Sequence, residues 1–191
     1  MNDEQFITML AKIKDLSEMM VDLAYSALLY GSEEVADHVL EMGEMMEILN
    51  VEFELAILGL KGTRPVKGLL GLIRLALAAE NLADAATSMA DIVKKGVRAH
   101  PVIHMAMEKA EETIVVTEIS ENSLLSGRNI GDLGLEDDIG MRIIAVKRDE
   151  NWIYRPSDSF VLNSGDLIIA RGYSEGRQKL LTFANPTEAY K

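Results

Sequence analysis

Carboxylates are the residues of this sequence with the most evident capacity for chemistry. Eleven acidic residues and no lysine or arginine occur between positions 15 and 60. Helical spacing would place several of them on shared helix faces, where two carboxylates about 4 Å apart repel each other by about 4 kcal/mol. Such a cluster needs water, a raised pKa or a bound cation. The pattern leaves two interpretations open: a solvated acidic face, or a site of oxygen ligands for Mg²⁺, Ca²⁺, Mn²⁺ or iron.

A second candidate region lies at positions 141–172, where short β-branched runs predict strands. Turn-forming residues separate these runs at positions 149–151, 156–158 and 163–166, which predicts an antiparallel meander. The neighbouring Ile143 and Ile144 point to opposite faces of one strand, so both faces of the sheet are apolar and need cover. A downstream helix can cover one face. We expect a second copy of the protein to cover the other, with a small ligand in the seam.

The composition narrows the classes of function. The net charge of −12 argues against a nucleic-acid partner and against general affinity for an anionic membrane. The sequence contains no cysteine, which excludes a thiolate nucleophile and fits a reducing, cytoplasmic location. No Gly-x-Ser-x-Gly motif or triad-like context occurs, so we expect a protein that is not an enzyme. No run of about 18 apolar residues predicts a membrane span.

Three long helices are predicted to carry the carboxylates. Apolar residues recur at steps of three and four over positions 9–30, 35–60 and about 65–96, the spacing of a stripe on one helix face. Ser32 can cap the second helix. Short connections between long helices make neighbours antiparallel. We therefore predict an up-down-up bundle over residues 1–97, in which a run of alanines lets a neighbour pack closely against the third helix.

A change in composition marks a second domain. Residues 98–112 are predicted to form a hinge and a short linker helix that begins near Pro101. From residue 113 onward, β-branched residues and glycines become frequent. The order of strand, short helix, strands and final helix over residues 113–191 predicts an α+β unit. The predicted fold class is thus α+β: a helical bundle followed by a small domain with an antiparallel sheet.

The second domain resembles the TrkA C-terminal domain, also called the RCK C-terminal domain. Four local patterns in order carry the resemblance: 124–128 (LLSGR), 143–148 (IIAVKR), 152–156 (WIYRP) and 165–172 (GDLIIARG). The resemblance implies a dimer that senses a ligand on behalf of potassium or other cation transporters. No G-x-G-x-x-G motif follows a strand, so we do not expect NAD or ATP to be that ligand.

The same resemblance implies where a ligand would bind. In some TrkA C-terminal domains, cyclic di-AMP lies between two subunits at positions that match Ile143, Ile144, Arg155 and Pro156. The isoleucines would stack against bases, and Arg155 can pair with phosphate. The alternative is that these residues only form a plain dimer core.

The first domain resembles half of a PhoU protein, a single three-helix repeat. Glu80 to Asp84 fits the E-x-x-x-D signature of the PhoU third helix, and residues 37–47 support the match. The resemblance implies a metal site at Glu80 and Asp84, with Glu18 and Asp22 as partners from another helix. A PhoU-like half joined to a TrkA C-terminal half resembles archaeal proteins described as potassium-channel-related.

Together these features predict a cytoplasmic, non-enzymatic homodimer that regulates a membrane cation transporter or channel and is peripheral to the membrane through that partner. The second domain would sense the small ligand, and the helical domain would transmit the change. Two other functions stay open. One is a metal-binding regulator of phosphate uptake, in which the second domain only dimerises. The other is a purely structural assembly protein.

Overall fold

Three long helices, α1 (Asp3–Tyr30), α2 (Glu33–Leu58) and α3 (Val66–Lys94), form the N-terminal part of the chain, and each packs against the other two. The computed structural model describes residues 3–60, 66–97 and 100–186. The chain divides into two compact units, Met1–Arg98 and Ala99–Lys191. The predicted domain boundaries stay predictions; the expected start of the third helix at residue 65 and the first hinge residues, 98 and 99, lie outside the described residues.

Local sequence explains where the second helix begins. Ser32 has an extended backbone, and its side chain accepts a hydrogen bond from the Val35 N–H at 3.3 Å. This bond satisfies one of the backbone donors that a helix start leaves free. Glu33 and Glu34 occupy the first turn, where the helix dipole favours negative charge.

The core of the helical unit combines large side chains with a face of small ones. Met20, Leu23 and Phe53 are fully buried, and the alanines of α3 face inward as predicted: Ala76, Ala79, Ala83, Ala86 and Ala90. A Cβ atom built on Gly43 of α2 would lie 2.7 Å from the Thr87 methyl group of α3. The small residues therefore let α2 and α3 approach closely.

The C-terminal unit is a four-stranded antiparallel sheet with helices. Its elements in chain order are α4 (Pro101–Glu108), β1 (Glu112–Glu118), α5 (Ile130–Leu133), α6 (Leu135–Ile139), β2 (Met141–Arg148), β3 (Asn151–Tyr154), β4 (Leu167–Tyr173) and α7 (Ser174–Ala184). The strand order is β1-β4-β2-β3. The predicted α+β fold class is confirmed.

The predicted meander is wrong in one respect. After the β2–β3 hairpin, the chain crosses back over residues 155–166, and β4 pairs with β2 and β1 rather than with β3. β4 is therefore a central strand, and Ile168, Ile169 and Ala170 are buried. The turn residues indicated where strands end, but a loop of this length allows either neighbour.

An irregularity in β2 decides which side chains face the helices. The register shifts between Ile143 and Ala145, so that Ile143 pairs with Ala170 and Ala145 with Ile169. Such a β-bulge inserts one unpaired residue, here Ile144. Beyond it, Val146 instead of Ala145 joins Ile143 in the core cluster that includes Leu180 and Ala184 of α7.

Two glycines let β4 and α7 pack closely against the backbone that leads into β2. A Cβ atom at Gly172 would collide with the carbonyl oxygen of Gly140, and one at Gly176 with the carbonyl oxygen of Ile139. Only glycine lacks the atom that would separate these backbones. The sheet corner therefore depends on hydrogen atoms at both positions.

Candidate functional site

The bulge in β2 separates the two isoleucines that the sequence identifies as ligand candidates. Ile143 lies in the core cluster on the helix-covered face and is 4% exposed. Ile144 and Ala145 lie toward the other face, which they share with Ile169 of β4. Of the two isoleucines, only Ile144 belongs to the face on which a ligand was expected.

The loop after β3 returns to this bulge. The backbone N–H of Arg155 donates a hydrogen bond to the carbonyl oxygen of Ile144 at 2.9 Å. Arg155 is exposed, and its backbone φ of +51° lies in the left-handed region, which is uncommon for a residue with a side chain. Pro156 follows and is half-buried. The structure thus brings Ile144, Arg155 and Pro156 together.

Two aromatic rings extend the same face of the sheet. Tyr154 pairs with Ala145 and Trp152 with Lys147 across the β2–β3 hairpin. The two rings are stacked, with centroids 5.8 Å apart and an interplanar angle of 16°, and both residues are half-buried. From the sequence alone, both residues entered only as part of the pattern over residues 152–156. The alternation Trp-Ile-Tyr was the signal that both rings share a face.

The expectation that this second face is bare in one copy is wrong at its centre. Ile144 is 5% exposed, Ile169 is 1% exposed and Ala145 is fully buried within the single chain. Strand alternation indicates which way a side chain points, but it carries no information about what lies over that face. The half-buried Val116 and the two rings continue the apolar surface.

An ion pair between the buried Asp166 and the half-buried Arg148 connects the end of β2 to the loop that follows β3. Arg148 donates two hydrogen bonds to the Asp166 carboxylate, at 2.8 Å from Nε and 2.7 Å from Nη2. Nη2 also donates to the carbonyl oxygen of Val161 at 2.7 Å, and the guanidinium lies 4.8 Å from the centre of the Phe160 ring. One side chain thereby holds β2, β4 and the intervening loop.

The environment of Asp166 keeps its carboxylate charged. Burial by itself raises the pKa of Asp166, but hydrogen bonds from Arg148 and from the backbone N–H of Asn163 outweigh burial and hold that pKa below its ordinary value. The hydrogen bond to Asp166 likewise raises the pKa of Arg148. Both groups are therefore ionised at neutral pH, and their contact stabilises the fold of the loop.

The predicted metal ligands are not assembled into a site. Glu80 is half-buried and Asp84 exposed, one turn apart on α3. Glu18 is exposed and forms an ion pair with Lys14 at 2.8 Å. At about 100° per residue, both Glu18 and Asp22 point away from the side of α1 that buries Met20. Over residues 3–60, 66–97 and 100–186, no group of three histidine, cysteine, aspartate or glutamate residues could hold a metal ion.

No helix in the described part of the chain is both long enough and apolar enough to cross a bilayer. The long helices carry charged residues at frequent intervals, α2 having eight carboxylates in 26 residues.

Comparison with known proteins identifies both halves of the chain. The PhoU domain matches residues 10–93, and the TrkA-C domain matches residues 114–185. The predicted pairing of a PhoU-like helical domain with a TrkA C-terminal domain is confirmed. A curated relative, "Potassium channel protein 1" of Methanocaldococcus jannaschii, is 31% identical over 86 residues, which are 45% of this chain and 26% of that protein. The match thus spans about a quarter of the relative's length.

Three solved structures illustrate the similarity. The RCK_C domain dimer of S. agalactiae BusR, in complex with c-di-AMP, is 26% identical and covers 38% of this chain and 96% of its own, with a TM-score of 0.36. The RCK C domain of the potassium transport protein KtrA, also with c-di-AMP, is 28% identical and covers 42% and 92%, with a TM-score of 0.34. BusR with its busA-promotor DNA is 18% identical and covers 60% and 67%, with a TM-score of 0.36.

The sequence predicts that this chain has no nucleic-acid partner, whereas BusR was solved with its promotor DNA. DNA binding is a property of BusR, and the expectation drawn from the net charge stays a prediction for this protein.

Proposed function

We propose that this protein is a non-enzymatic regulator of potassium or another cation's transport, which senses a small ligand at a seam between two copies. The observation that carries the proposal is the TrkA-C match over residues 114–185, together with the 31% identity to a protein named as a potassium channel. The partner is then a membrane transporter or channel subunit, and the protein is peripheral to the membrane through it.

The ligand site proposed here is the β2 bulge with the loop after β3. Arg155 supplies an exposed cation that can pair with a phosphate group. The half-buried Pro156, Trp152 and Tyr154 supply apolar surface against which a base can pack. Ile144 is buried within one copy, so it is a support for this surface. Ile143 supports this surface from the core. A phosphate-bearing ligand with flat bases suits these groups, and c-di-AMP, which the BusR and KtrA domains bind, is the probe we choose.

Ligand binding would act by population shift. A ligand that binds one arrangement of the two copies more tightly than another favours that arrangement by its difference in affinity. The hydrogen bond between Arg155 and the bulge ties the ligand-facing loop to the central part of the sheet. A change in the conformation of that loop would thereby reach β2, the strand that carries the bulge.

A titration with c-di-AMP tests the site. We expect c-di-AMP to raise the melting temperature, because a ligand that binds only the folded state stabilises it by mass action. Arg155→Gln, which keeps a side chain on the left-handed backbone, should weaken binding at least tenfold. The matched control is Arg177→Gln on the exposed surface of α7, which should bind as the unchanged protein does.

Two results would overturn the ligand site or the seam, and a third would overturn the regulatory role. One is equal affinity in Arg155→Gln and Arg177→Gln, which would remove the ligand from this loop. The other is a molecular mass in solution that corresponds to a monomer at micromolar concentration with c-di-AMP bound, which would exclude a binding site between two copies. The regulatory role would be excluded if the flux through a reconstituted transporter stayed the same with and without this protein, and with and without the ligand.

The PhoU match over residues 10–93 favours a second candidate, a metal-dependent regulator of phosphate uptake. Glu80 and Asp84 would be ligands, and Glu18 and Asp22 would reach the metal only after α1 rotates. Metal analysis of the purified protein, compared with a Glu80→Gln and Asp84→Asn double variant, decides this. A bound Mg²⁺, Mn²⁺ or iron lost only in the double variant supports the candidate, and equal metal content in both proteins eliminates it.

A further inference from the structure

An apolar stripe runs along the outside of α2. Its five side chains are each between 53% and 62% exposed: Met45, Ile48, Val51, Leu55 and Leu58. The steps between them are three and four residues, which is the spacing of one helix face. We call these five residues the outer α2 stripe. They span about 20 Å of helix at 1.5 Å per residue.

The outer α2 stripe is separate from the core of the helical unit. At about 100° per residue, its centre lies on the side of α2 opposite to Met46 and Phe53, which are buried to 1% and 0% exposure. The C-terminal half of α2 is therefore apolar on both sides. A contiguous exposed apolar surface bordered by polar residues is typical of an interaction site, which makes the outer α2 stripe a candidate docking surface.

The charged lysine, arginine, aspartate and glutamate side chains that α2 itself carries are all acidic. Glu44, Glu47, Glu52 and Glu54 border it, and α2 carries eight carboxylates and no lysine or arginine. Lys94 contacts Glu33 and Asp37, which lie near the other end of the helix. Within the part of the chain that the structure describes, none of the four bordering carboxylates lies within ion-pair distance of a basic side chain.

We propose that the outer α2 stripe binds a basic amphipathic helix of a partner protein. An apolar face on that helix would pack on the stripe, and flanking lysines or arginines would reach the bordering glutamates. The long stems of lysine and arginine also cover apolar surface while their charges stay in water. Met45 adapts to side chains of different shape.

The charge pattern selects this occupant over two others. A second copy that docks through the same stripe would bring two sets of four bordering glutamates together, which is unfavourable. An anionic membrane surface would be repelled for the same reason. The proposal goes beyond ligand sensing: it names the chemistry of the segment that the helical unit takes from its partner, and it does not depend on the identity of the ligand.

The test uses the full chain and three synthetic peptides of 18 residues. The first has leucines on one helix face and lysines on the other, the second has glutamates in place of the lysines, and the third is a scrambled form of the first. We expect the leucine–lysine peptide to bind with micromolar affinity that weakens as salt rises, and the other two to bind at least tenfold more weakly.

Variants then locate the binding. Ile48→Gln plus Leu55→Gln should weaken the leucine–lysine peptide at least tenfold. The matched control, Leu82→Gln plus Ile92→Gln, changes two α3 side chains of similar exposure, 50% and 41%, and should leave affinity unchanged. Methyl spectra of the unchanged protein provide a readout that needs no substitution: the Met45 signal should shift on binding, and the signal of Met105, exposed in the other unit, should not.

Each alternative has a distinct signature. Equal binding of the lysine and glutamate peptides, or equal loss in both double variants, overturns the proposal. It is also overturned if Ile48→Gln plus Leu55→Gln reduces the mass of the free protein in solution, since a second copy would then be the occupant. Loss of binding to phosphatidylglycerol vesicles in that variant would instead identify a membrane. The c-di-AMP titration is made without peptide, so failure of one proposal does not affect the other.

Discussion

The helical unit and the C-terminal unit differ in how far the carboxylates of their ion pairs are buried. In the helical unit, the ion pairs of Lys14 and Lys94 lie on the surface, and the side chains of their partners Glu18, Glu33 and Asp37 are between 47% and 65% exposed. In the C-terminal unit, Asp166 is almost completely buried and bonded to Arg148. The surface ion pairs of the helical unit do not position its helices, because the apolar core does so. In the C-terminal unit, the contact between Arg148 and Asp166 positions a loop.

The units also differ in how much space surrounds some of their glycines. A Cβ atom at Gly68 or Gly71 of α3 would meet no atom within 4 Å, whereas one at Gly172 or Gly176 would collide with a backbone carbonyl. At these positions, α3 therefore has room for a methyl group that the sheet corner excludes. The close contact of Gly43 with Thr87 shows that the helical unit also has a restricted position, but there the neighbouring atom belongs to a side chain and not to the backbone.

The largest effect should come from a methyl group at the sheet corner. Gly176→Ala should lower the free energy of unfolding by roughly 3 kcal/mol, because the new atom displaces backbone. Gly71→Ala in α3 is the matched control and should raise stability by roughly 1 kcal/mol, since alanine favours helix over glycine. Urea unfolding measures both, and similar signs for the two variants would remove the contrast.

The next effect should come from the ion pair between Arg148 and the buried Asp166. Asp166→Asn should lower the free energy of unfolding by about 2 kcal/mol, because Arg148 keeps its charge while losing its charged partner. The control is Lys94→Met, which removes a solvent-exposed ion pair and should not shift the urea midpoint measurably. A comparable loss in Lys94→Met would show that the two ion pairs contribute alike here.

The same pair predicts a dependence on pH. The pKa of Asp166 is lower in the folded protein than its ordinary value of 3.8. Its contribution to stability is therefore full above pH 3.8 and is lost as the pH falls through the folded-state pKa. The stability difference between the unchanged protein and Asp166→Asn should shrink in that acidic range. A difference that stays constant from pH 7 to pH 2 would contradict the lowered pKa.

The smallest effect should come from the one polar side chain that stands out inside the helical unit. Asn50 is 4% exposed, and neither atom of its amide group has a hydrogen-bond partner among the described residues. Asn50→Leu should raise the free energy of unfolding by about 1 kcal/mol, because a buried unsatisfied amide is replaced by apolar surface. Val39→Leu, at another buried α2 position, is the control; lower stability in Asn50→Leu alone would show that the amide is satisfied.

How much of the fold the sequence predicted differs between the units for a physical reason. The helices repeat every 3.6 residues, so their buried faces follow from positions such as Met20 and Ala83 without knowledge of any partner. The strand β2 departs from its period of two at Ile144. No local signal marks that bulge, and it alone moves Val146 into the core in place of Ala145.

The candidate site was predictable in part. The resemblance to TrkA C-terminal domains indicated Ile144, Arg155 and Pro156, which the structure brings together, and Ile143, which it sends to the opposite face. The alternation of Trp152 and Tyr154 places both rings on one face of a strand, but only the pairing with β2 shows that this face also carries Ala145. The carboxylates of α1 and α3 were predicted to bind one metal ion, but the structure does not assemble them into a site.

The periodic features of this protein follow from local sequence: three long helices, their buried alanine face, and a change to a strand-rich domain. Those features depend on side chains a few residues apart. Long-range packing fixes three others: the position of β4 between β1 and β2, the burial of Ile144 within one chain, and the exposure of the outer α2 stripe. Each of these depends on which distant segments meet, and the chain settles that by the total burial it achieves rather than by any local pattern.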